Sequence, residues 1–384
     1  MNPIVVIGSG LAAYSVIREL RKLDRDIPLM LVTRDDGDYY SKPMLSNAMA
    51  QGKEAAGLVL TSAAEMAQQH NFTLHSQCEV SAIDTEGMYV HTSQGELSYS
   101  RLVLALGADP IRIPVKGDAA DAVMSVNDIA DYARLRNVMQ GVKHIAIMGG
   151  GLIGCEFAND WAAAGYGISV IDPGAYPLAS LMPEQAGKQL LAPLAAIGVD
   201  WRFGTSVSSV DSAASGYILT LADGSKLHTG LVLSAVGLRP RIVLAQAAGL
   251  EVNRGIKVDA QLRSSDANIF ALGDCAEIEG KVQPFVLPIM HAARALAKTL
   301  SGCETAVEFP AMPVVVKTPA HPVAVLPVAR DAVGEWKALA TGGGVKMAFI
   351  DAADRMTGFV LTGRHASERN EMSKQIGQML VPSY

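Results

Sequence analysis

One supersecondary unit occurs twice in this chain, and each copy can fold only as a strand, a tight glycine turn and a helix packed back on a second strand. In the first copy, Ile4-Val5-Val6-Ile7 is a short, wholly apolar, β-branched run, as expected of a strand covered on both faces of a parallel sheet. It passes straight into Gly8-Ser9-Gly10-Leu11-Ala12-Ala13. A helical pattern follows from Tyr14 to Lys22, with Val16, Ile17 and Leu20 on one face, and Leu29-Met30-Leu31-Val32 is the next apolar run. In the second copy, His144-Ile145-Ala146-Ile147-Met148 leads into Gly149-Gly150-Gly151-Leu152-Ile153-Gly154, then a helix from Cys155 to Ala164, then Ile168-Ser169-Val170-Ile171. A lone GxGxxG is weak evidence, but two complete strand–turn–helix–strand units are strong evidence for two dinucleotide-binding folds.

The glycines have separable tasks. Gly8 permits the tight turn, Gly10 lets the backbone approach a pyrophosphate, and small Ala13 lets helix and strand pack closely. Gly149, Gly151 and Gly154 repeat these tasks in the second copy. Backbone amides at the start of each helix then face the phosphates with the helix dipole behind them. An acidic residue closing the second strand holds the adenosine ribose. Asp172, 21 positions beyond Gly151, fits that role, and no arginine or lysine lies in Pro173-Gly174-Ala175-Tyr176 to pair a 2′-phosphate. The second site is therefore expected to prefer NADH to NADPH. In the first copy Val32 is followed by Thr33-Arg34-Asp35-Asp36; position favours Thr33 and Arg34 at the ribose, with Asp35 as the alternative.

With 49% hydrophobic and 18% charged residues, 384 residues are ample for two or three packed domains and exclude disorder as the main state. A net charge of −6 argues against nucleic acid or an anionic membrane as the main partner. Cys78, Cys155, Cys275 and Cys303 form no CxxC or other metal spacing, so neither a disulfide relay nor a metal site is expected. The opening residues lack a basic region and a long apolar region, and no apolar stretch reaches membrane length, so a cytoplasmic setting is expected.

Three further stretches carry a resemblance. Leu102-Val103-Leu104-Ala105-Leu106-Gly107 and Leu231-Val232-Leu233-Ser234-Ala235-Val236-Gly237 are matched strands ending in glycine turns, followed by Pro110 and Pro240. Ile269-Phe270-Ala271-Leu272-Gly273-Asp274 ends in Gly-Asp before an expected helix. Together with the glycine loops these resemble the two-dinucleotide-binding flavoprotein reductases of glutathione-reductase-like fold. The resemblance implies an α/β chain of two Rossmann-like domains and a small α+β C-terminal domain. It implies residues 1–108 and 238–308 for tightly but non-covalently bound FAD, 109–237 for NADH, and 309–384 for the last domain. Thiol-using members carry cysteine where this chain has Tyr39-Tyr40-Ser41-Lys42-Pro43-Met44-Leu45-Ser46-Asn47. The chain therefore resembles the electron-carrier reductases that serve rubredoxin, flavorubredoxin or oxygenase ferredoxins. Val314-Val315-Val316-Lys317-Thr318-Pro319 resembles a stretch of the rubredoxin reductases in particular.

The same resemblance implies Gly8, Ser9, Gly10, Leu11, Ala12, Thr33, Arg34, Lys42, Val80, Ala105, Glu156, Asp274, Val286 and Lys317 as contacts of FAD. For NADH it implies Gly149, Gly151, Leu152, Ile153, Gly154, Asp172 and Gly237. Lys42 and Glu156 are expected at the flavin edge, paired with one another. Asp274 is implied at the ribityl chain. Val286, in the stretch preceding a helix from Ile289 to Leu300 whose N-terminus would face the pyrimidine side of the flavin, is implied to contact the ring through its backbone. The reaction it implies is hydride transfer from NADH to FAD, followed by two single-electron transfers to rubredoxin. The chain is expected to be a monomer, with no metal of its own, and alkane hydroxylation is one pathway its electrons could supply. The rivals are a flavorubredoxin or ferredoxin reductase, an NADH oxidase, and a non-catalytic flavin-binding interaction protein. His291 and His321 receive no catalytic role, and the cysteines read as buried packers or inert thiols. Beyond residue 309, Val314 to Val316, Val323 to Leu326, Trp336 to Leu339 and Met347 to Ile350 read as an antiparallel sheet, with a hairpin turn at Gly342-Gly343-Gly344 and a closing helix from Ala366 to Met379.

Overall fold

The computed structural model describes residues 2–329 and 331–378. The chain divides into two compact units, one of Met1–Lys42, Ala56–Asp109 and Leu238–Pro310, the other of Pro43–Ala55, Pro110–Gly237 and Ala311–Tyr384.

The first unit is built on a parallel sheet in the order Ile269–Ala271, Arg101–Leu104, Ile4–Ile7, Leu29–Val32, Thr73–His75. The strand Ile4–Ile7 is buried along its whole length, with a parallel neighbour on each edge and its side chains in the apolar core of the unit. The helix Leu11–Leu23 packs on the helix Val286–Leu300, and the buried alanines at 12, 13, 292, 293 and 297 keep these elements close. A three-stranded antiparallel meander, Val80–Asp84, Tyr89–Thr92 and Gly95–Ser98, completes it. The helix expected directly after Gly273-Asp274 is not there. A single 3-10 turn, Gly273–Cys275, leads instead into the strand Ala276–Ile278, which pairs with Ile256–Val258, and the α-helix begins at Val286.

The second unit repeats the pattern. Its parallel sheet runs Val199–Phe203, Gly167–Asp172, His144–Met148, Leu231–Ser234, beside the meander Val207–Ser212, Tyr217–Leu221 and Lys226–Thr229. Residues beyond 311 add a five-stranded antiparallel sheet in the order Val314–Val316, Val323–Leu326, Met356–Thr362, Val345–Asp351, Gly334–Thr341. The turn at Gly342-Gly343-Gly344 is a hairpin, with Thr341 opposite Val345. The central strand Met356–Thr362 is absent from the sequence expectation; it contains Gly358, a residue that usually weakens strands. Here the glycine is required, since a Cβ would lie 2.4 Å from the Val328 side chain and 2.9 Å from the Leu326 carbonyl oxygen. In place of the expected closing helix stand a 3-10 segment, Gly363–Glu368, and a short α-helix, Arg369–Lys374; Met379 lies outside the described residues. Among the described residues no helix is long and apolar enough to cross a membrane.

Candidate functional site

In the first unit, Gly8 has φ +113°, and a Cβ there would lie 2.4 Å from the carbonyl oxygen of Ala105, so those two predicted residues are in close contact. Gly10 differs: a Cβ would meet nothing within 4 Å. It forms the N-cap of the helix Leu11–Leu23, with no side chain capping the first amides. Free amides beside open space are what a pyrophosphate needs, so the loop fits a dinucleotide.

The register resolves how the ribose side is built. Ile7 pairs with Val32 and Met148 pairs with Ile171, which makes Thr33 the structural counterpart of Asp172. Thr33 is buried, and its hydroxyl donates to Asp35 Oδ1 at 2.6 Å. The same carboxylate oxygen accepts from the Ser9 hydroxyl at 2.7 Å and from the Gly37 amide at 3.0 Å. Asp35 thus brings a carboxylate to the glycine loop from two residues further on, while Arg34 is exposed. Val80 begins its strand half-buried, paired with Thr92.

Asp274 is half-buried. Burial pushes its carboxyl above the usual range, and the charges of Lys42 and Arg241 pull it back. Arg241, unnoticed in the sequence, donates to Asp109 at 2.7 Å and to the Leu106 carbonyl at 2.9 Å. Asp109 is also pushed up by burial, but Arg241, Arg34 and Lys42 together leave it lowered. Lys42 therefore stands in a basic group around Asp274. Val286 is 42% exposed and opens its helix with no side-chain cap.

The second loop repeats the first in detail. Gly149 has φ +105° with a virtual Cβ 2.7 Å from the Ala235 carbonyl oxygen, and Gly151 opens onto empty space at an uncapped helix start. At Gly154 a Cβ would lie 1.9 Å from the Gly149 carbonyl oxygen. Leu152 and Ile153 form the first turn of the helix Leu152–Ala163. Asp172 accepts from the Gly150 amide and the Gly174 amide, each at 2.6 Å, so its carboxylate is held at the loop. Gly237, at φ +115°, lies across from Ile111.

Glu156, 1% exposed on that helix, is the centre of a charged cluster. Its Oε2 accepts from the Ser46 hydroxyl at 2.5 Å and from the Lys317 ammonium at 3.1 Å, and its Oε1 accepts from the Lys317 amide at 2.9 Å. The Lys317 ammonium also donates to the Pro43 carbonyl. The cation on Glu156 is thus Lys317, not the expected Lys42. The reason is the strand Val314–Val316, which packs on the helix and delivers both the amide and the ammonium of the next residue to one carboxylate. Ser46 and Pro43 were not anticipated as partners. Asn47, next along the chain, donates to the Ser46 hydroxyl at 3.2 Å.

All four cysteines are free; Cys78, Cys155 and Cys275 are buried as expected, whereas Cys303 is exposed. Burial pushes the Cys155 thiol far up and the Cys275 thiol up to about 11, so neither supplies a thiolate. His321 is lowered by burial. No group of three or more His, Cys, Asp or Glu side chains among the described residues is arranged to hold a metal.

The sequence pattern of the family described as pyridine nucleotide-disulphide oxidoreductase matches residues 2–298. The chain belongs to that family. A second pattern, described as the rubredoxin binding C-terminal domain, matches residues 306–376 of this oxidoreductase. The chain is 45% identical over 377 residues to a rubredoxin-NAD(+) reductase of Alcanivorax borkumensis, covering 98% of this chain and 99% of that one. It is 39% identical over 377 residues to the nitric oxide reductase FlRd-NAD(+) reductase of Aeromonas hydrophila, covering 97% and 96%. Its fold is similar to that in the crystal structure of a covalent putidaredoxin reductase-putidaredoxin complex, with a TM-score of 0.89 at 24% identity, covering 99% of this chain and 94% of that one.

Proposed function

We propose that this oxidoreductase is an NADH:rubredoxin reductase of the cytoplasm, with FAD at the first glycine loop and NADH at the second. FAD, when bound, supplies the conversion of one hydride into electrons that leave singly. The chain's residues supply the rest. The uncapped amides at Leu11 and Ala12 hold one pyrophosphate and those at Leu152 and Ile153 the other. Asp172 accepts from the adenosine ribose of NADH, and Asp274 accepts from the ribityl hydroxyls. Lys317, ion-paired to the buried Glu156, would present positive charge where negative charge develops on the flavin. The amides opening the helix at Val286 add to it.

The observation that carries this reading is the match to a rubredoxin-binding domain over residues 306–376, because that segment also contributes Lys317 to Glu156. The test is turnover with NADH and NADPH in parallel, using purified rubredoxin, flavorubredoxin, a ferredoxin and dioxygen as acceptors. Rubredoxin with NADH is expected to be fastest; a rate no higher than with dioxygen would sink the proposal. The similarity to an FlRd-NAD(+) reductase favours flavorubredoxin as the second reading.

Two outcomes follow for this reading. Asp172→Ala combined with Pro173→Arg should raise the KM for NADH about ten- to a hundredfold, the scale of lost charge-assisted hydrogen bonds at about 1.5–3 kcal/mol. NADPH should become the better substrate by kcat/KM, and an unchanged preference counts against the ribose role. Replacing all four cysteines by serine should leave rubredoxin reduction within about twofold of wild type, given that Cys155 and Cys275 donate to carbonyls a hydroxyl can also serve. Loss of turnover in a folded, yellow protein would mean that a thiol takes part.

A further inference from the structure

Two other polar side chains are buried on the helix that carries Glu156. Asn159 and Asp160, 3% and 4% exposed, lie three and four residues further on, so all three share one stripe of the helix. Buried polar groups are costly without partners, and apolar residues of similar size would pack this surface at least as stably. Each of the two accepts from main chain, which fixes the path of a segment rather than the pose of a side chain. Asp160 takes the amides of Met49 at 2.9 Å and Ala50 at 3.1 Å. Asn159 takes the amide of Ala320 at 3.0 Å.

These contacts complete a triangulation. The segment holding Ser46 and the Pro43 carbonyl is tied to the helix at Glu156 through Ser46 and again at Asp160. The segment holding Lys317 is tied at Glu156 and again at Asn159. The far end of residues 43–55 is anchored separately, by the Tyr132 hydroxyl on the Lys53 carbonyl at 3.0 Å and by Arg136 on Glu54. Each segment is thus held to this helix at two places, Glu156 and a neighbouring side chain, which narrows where the Lys317 ammonium can stand.

We propose that Asp160 and Asn159 are positioning residues that set where the Lys317 ammonium stands, through the two segments they hold. The inference rests on the reductase reading above, in which Lys317 serves the flavin. It is tested with FAD-loaded Asp160→Asn, Asn159→Leu, Asn159→Asp and Lys317→Met, alone and in combination, by stopped-flow reduction with NADH. Asp160→Asn and Asn159→Leu should slow reduction about tenfold or more, the scale of a small misplacement, with the apparent dissociation constant for NADH unchanged. Asn159→Asp, which keeps an acceptor, should restore the rate. In the Lys317→Met background either change should add roughly twofold or less. In the FAD-free full chain, hydrogen exchange at the amides of residues 49 and 50 should accelerate in Asp160→Asn, and at 320 in Asn159→Leu. Wild-type rates in Lys317→Met would overturn the role of Lys317 and this inference with it. A slow Lys317→Met beside wild-type rates in Asp160→Asn, fully additive losses, or unchanged exchange would overturn this inference alone.

Discussion

Gly154→Ala should cost the second unit about 3 kcal/mol or more, and Gly151→Ala should cost it almost nothing, although both should cripple the use of NADH. The two glycines are three residues apart in one loop, yet the chain needs them for different reasons. At Gly154 the added carbon would stand 1.9 Å from the carbonyl oxygen of Gly149 and 3.0 Å from its carbon. Those are backbone atoms of the same turn, so relief requires the helix start to lift off the strand end. At Gly151 φ is −77°, a value any residue adopts, and the added carbon meets no atom within 4 Å. Alanine there even restricts the unfolded chain slightly. What it fills is open space at the helix start, which the proposed function assigns to the pyrophosphate of NADH. Denaturant unfolding and NADH titration on both variants separate the cases. If Gly151→Ala binds NADH normally, the pyrophosphate does not use that space. The first loop offers the same pair, with Gly8 demanded by the Ala105 carbonyl and Gly10 by nothing in the protein. Gly10→Ala should therefore fold at full stability and retain less FAD.

That contrast also explains which parts of the molecule could be read from sequence. Glycine loops are legible because their requirements are local: a strand end, a positive φ and a helix start leave the same mark wherever they occur. The apolar runs beside them fix the strands and, through Ile7 against Val32 and Met148 against Ile171, the register. The Glu156–Lys317 pair is different. Its members are 161 residues apart, and no spacing links them; the resemblance suggested each as a flavin contact but joined Glu156 to Lys42. A signal for the supporting residues did exist, since Glu156, Asn159 and Asp160 interrupt an otherwise apolar helix at positions that share a face. Asp35 was ambiguous because the strand register, not the sequence, decides that Thr33 takes the place of Asp172. The strand Met356–Thr362 was missed because the reason for Gly358 is a close approach by Leu326 and Val328, which no local pattern reveals.

Asp274→Asn should make the FAD-free protein more stable at neutral pH while weakening its hold on FAD about ten- to a hundredfold, in line with the loss of a charged acceptor. The two effects share one cause. Burial raises the carboxyl of Asp274 above its ordinary value of 3.8, with Lys42 and Arg241 opposing but not cancelling the shift. The folded chain therefore holds that proton more readily than the unfolded chain does. The stability this contributes is fully present below the unfolded value and is lost as pH rises through the raised folded value. At neutral pH the ionised carboxylate is a net cost to the empty fold; on the proposed reading the same negative charge would accept hydrogen bonds from the ribityl hydroxyls. Asparagine keeps the shape and one acceptor but has no charge to desolvate. Thermal unfolding of FAD-free wild type and Asp274→Asn should differ at pH 7 and converge toward acid, near pH 4 and below. The flavin content of the variant, read from its absorbance after purification, should fall at the same time. A variant less stable than wild type at pH 7 would mean that the attraction of Lys42 and Arg241 outweighs burial. Asp274 would then be part of the fold's own charge network, and its hold on FAD would no longer account for a carboxylate at that turn.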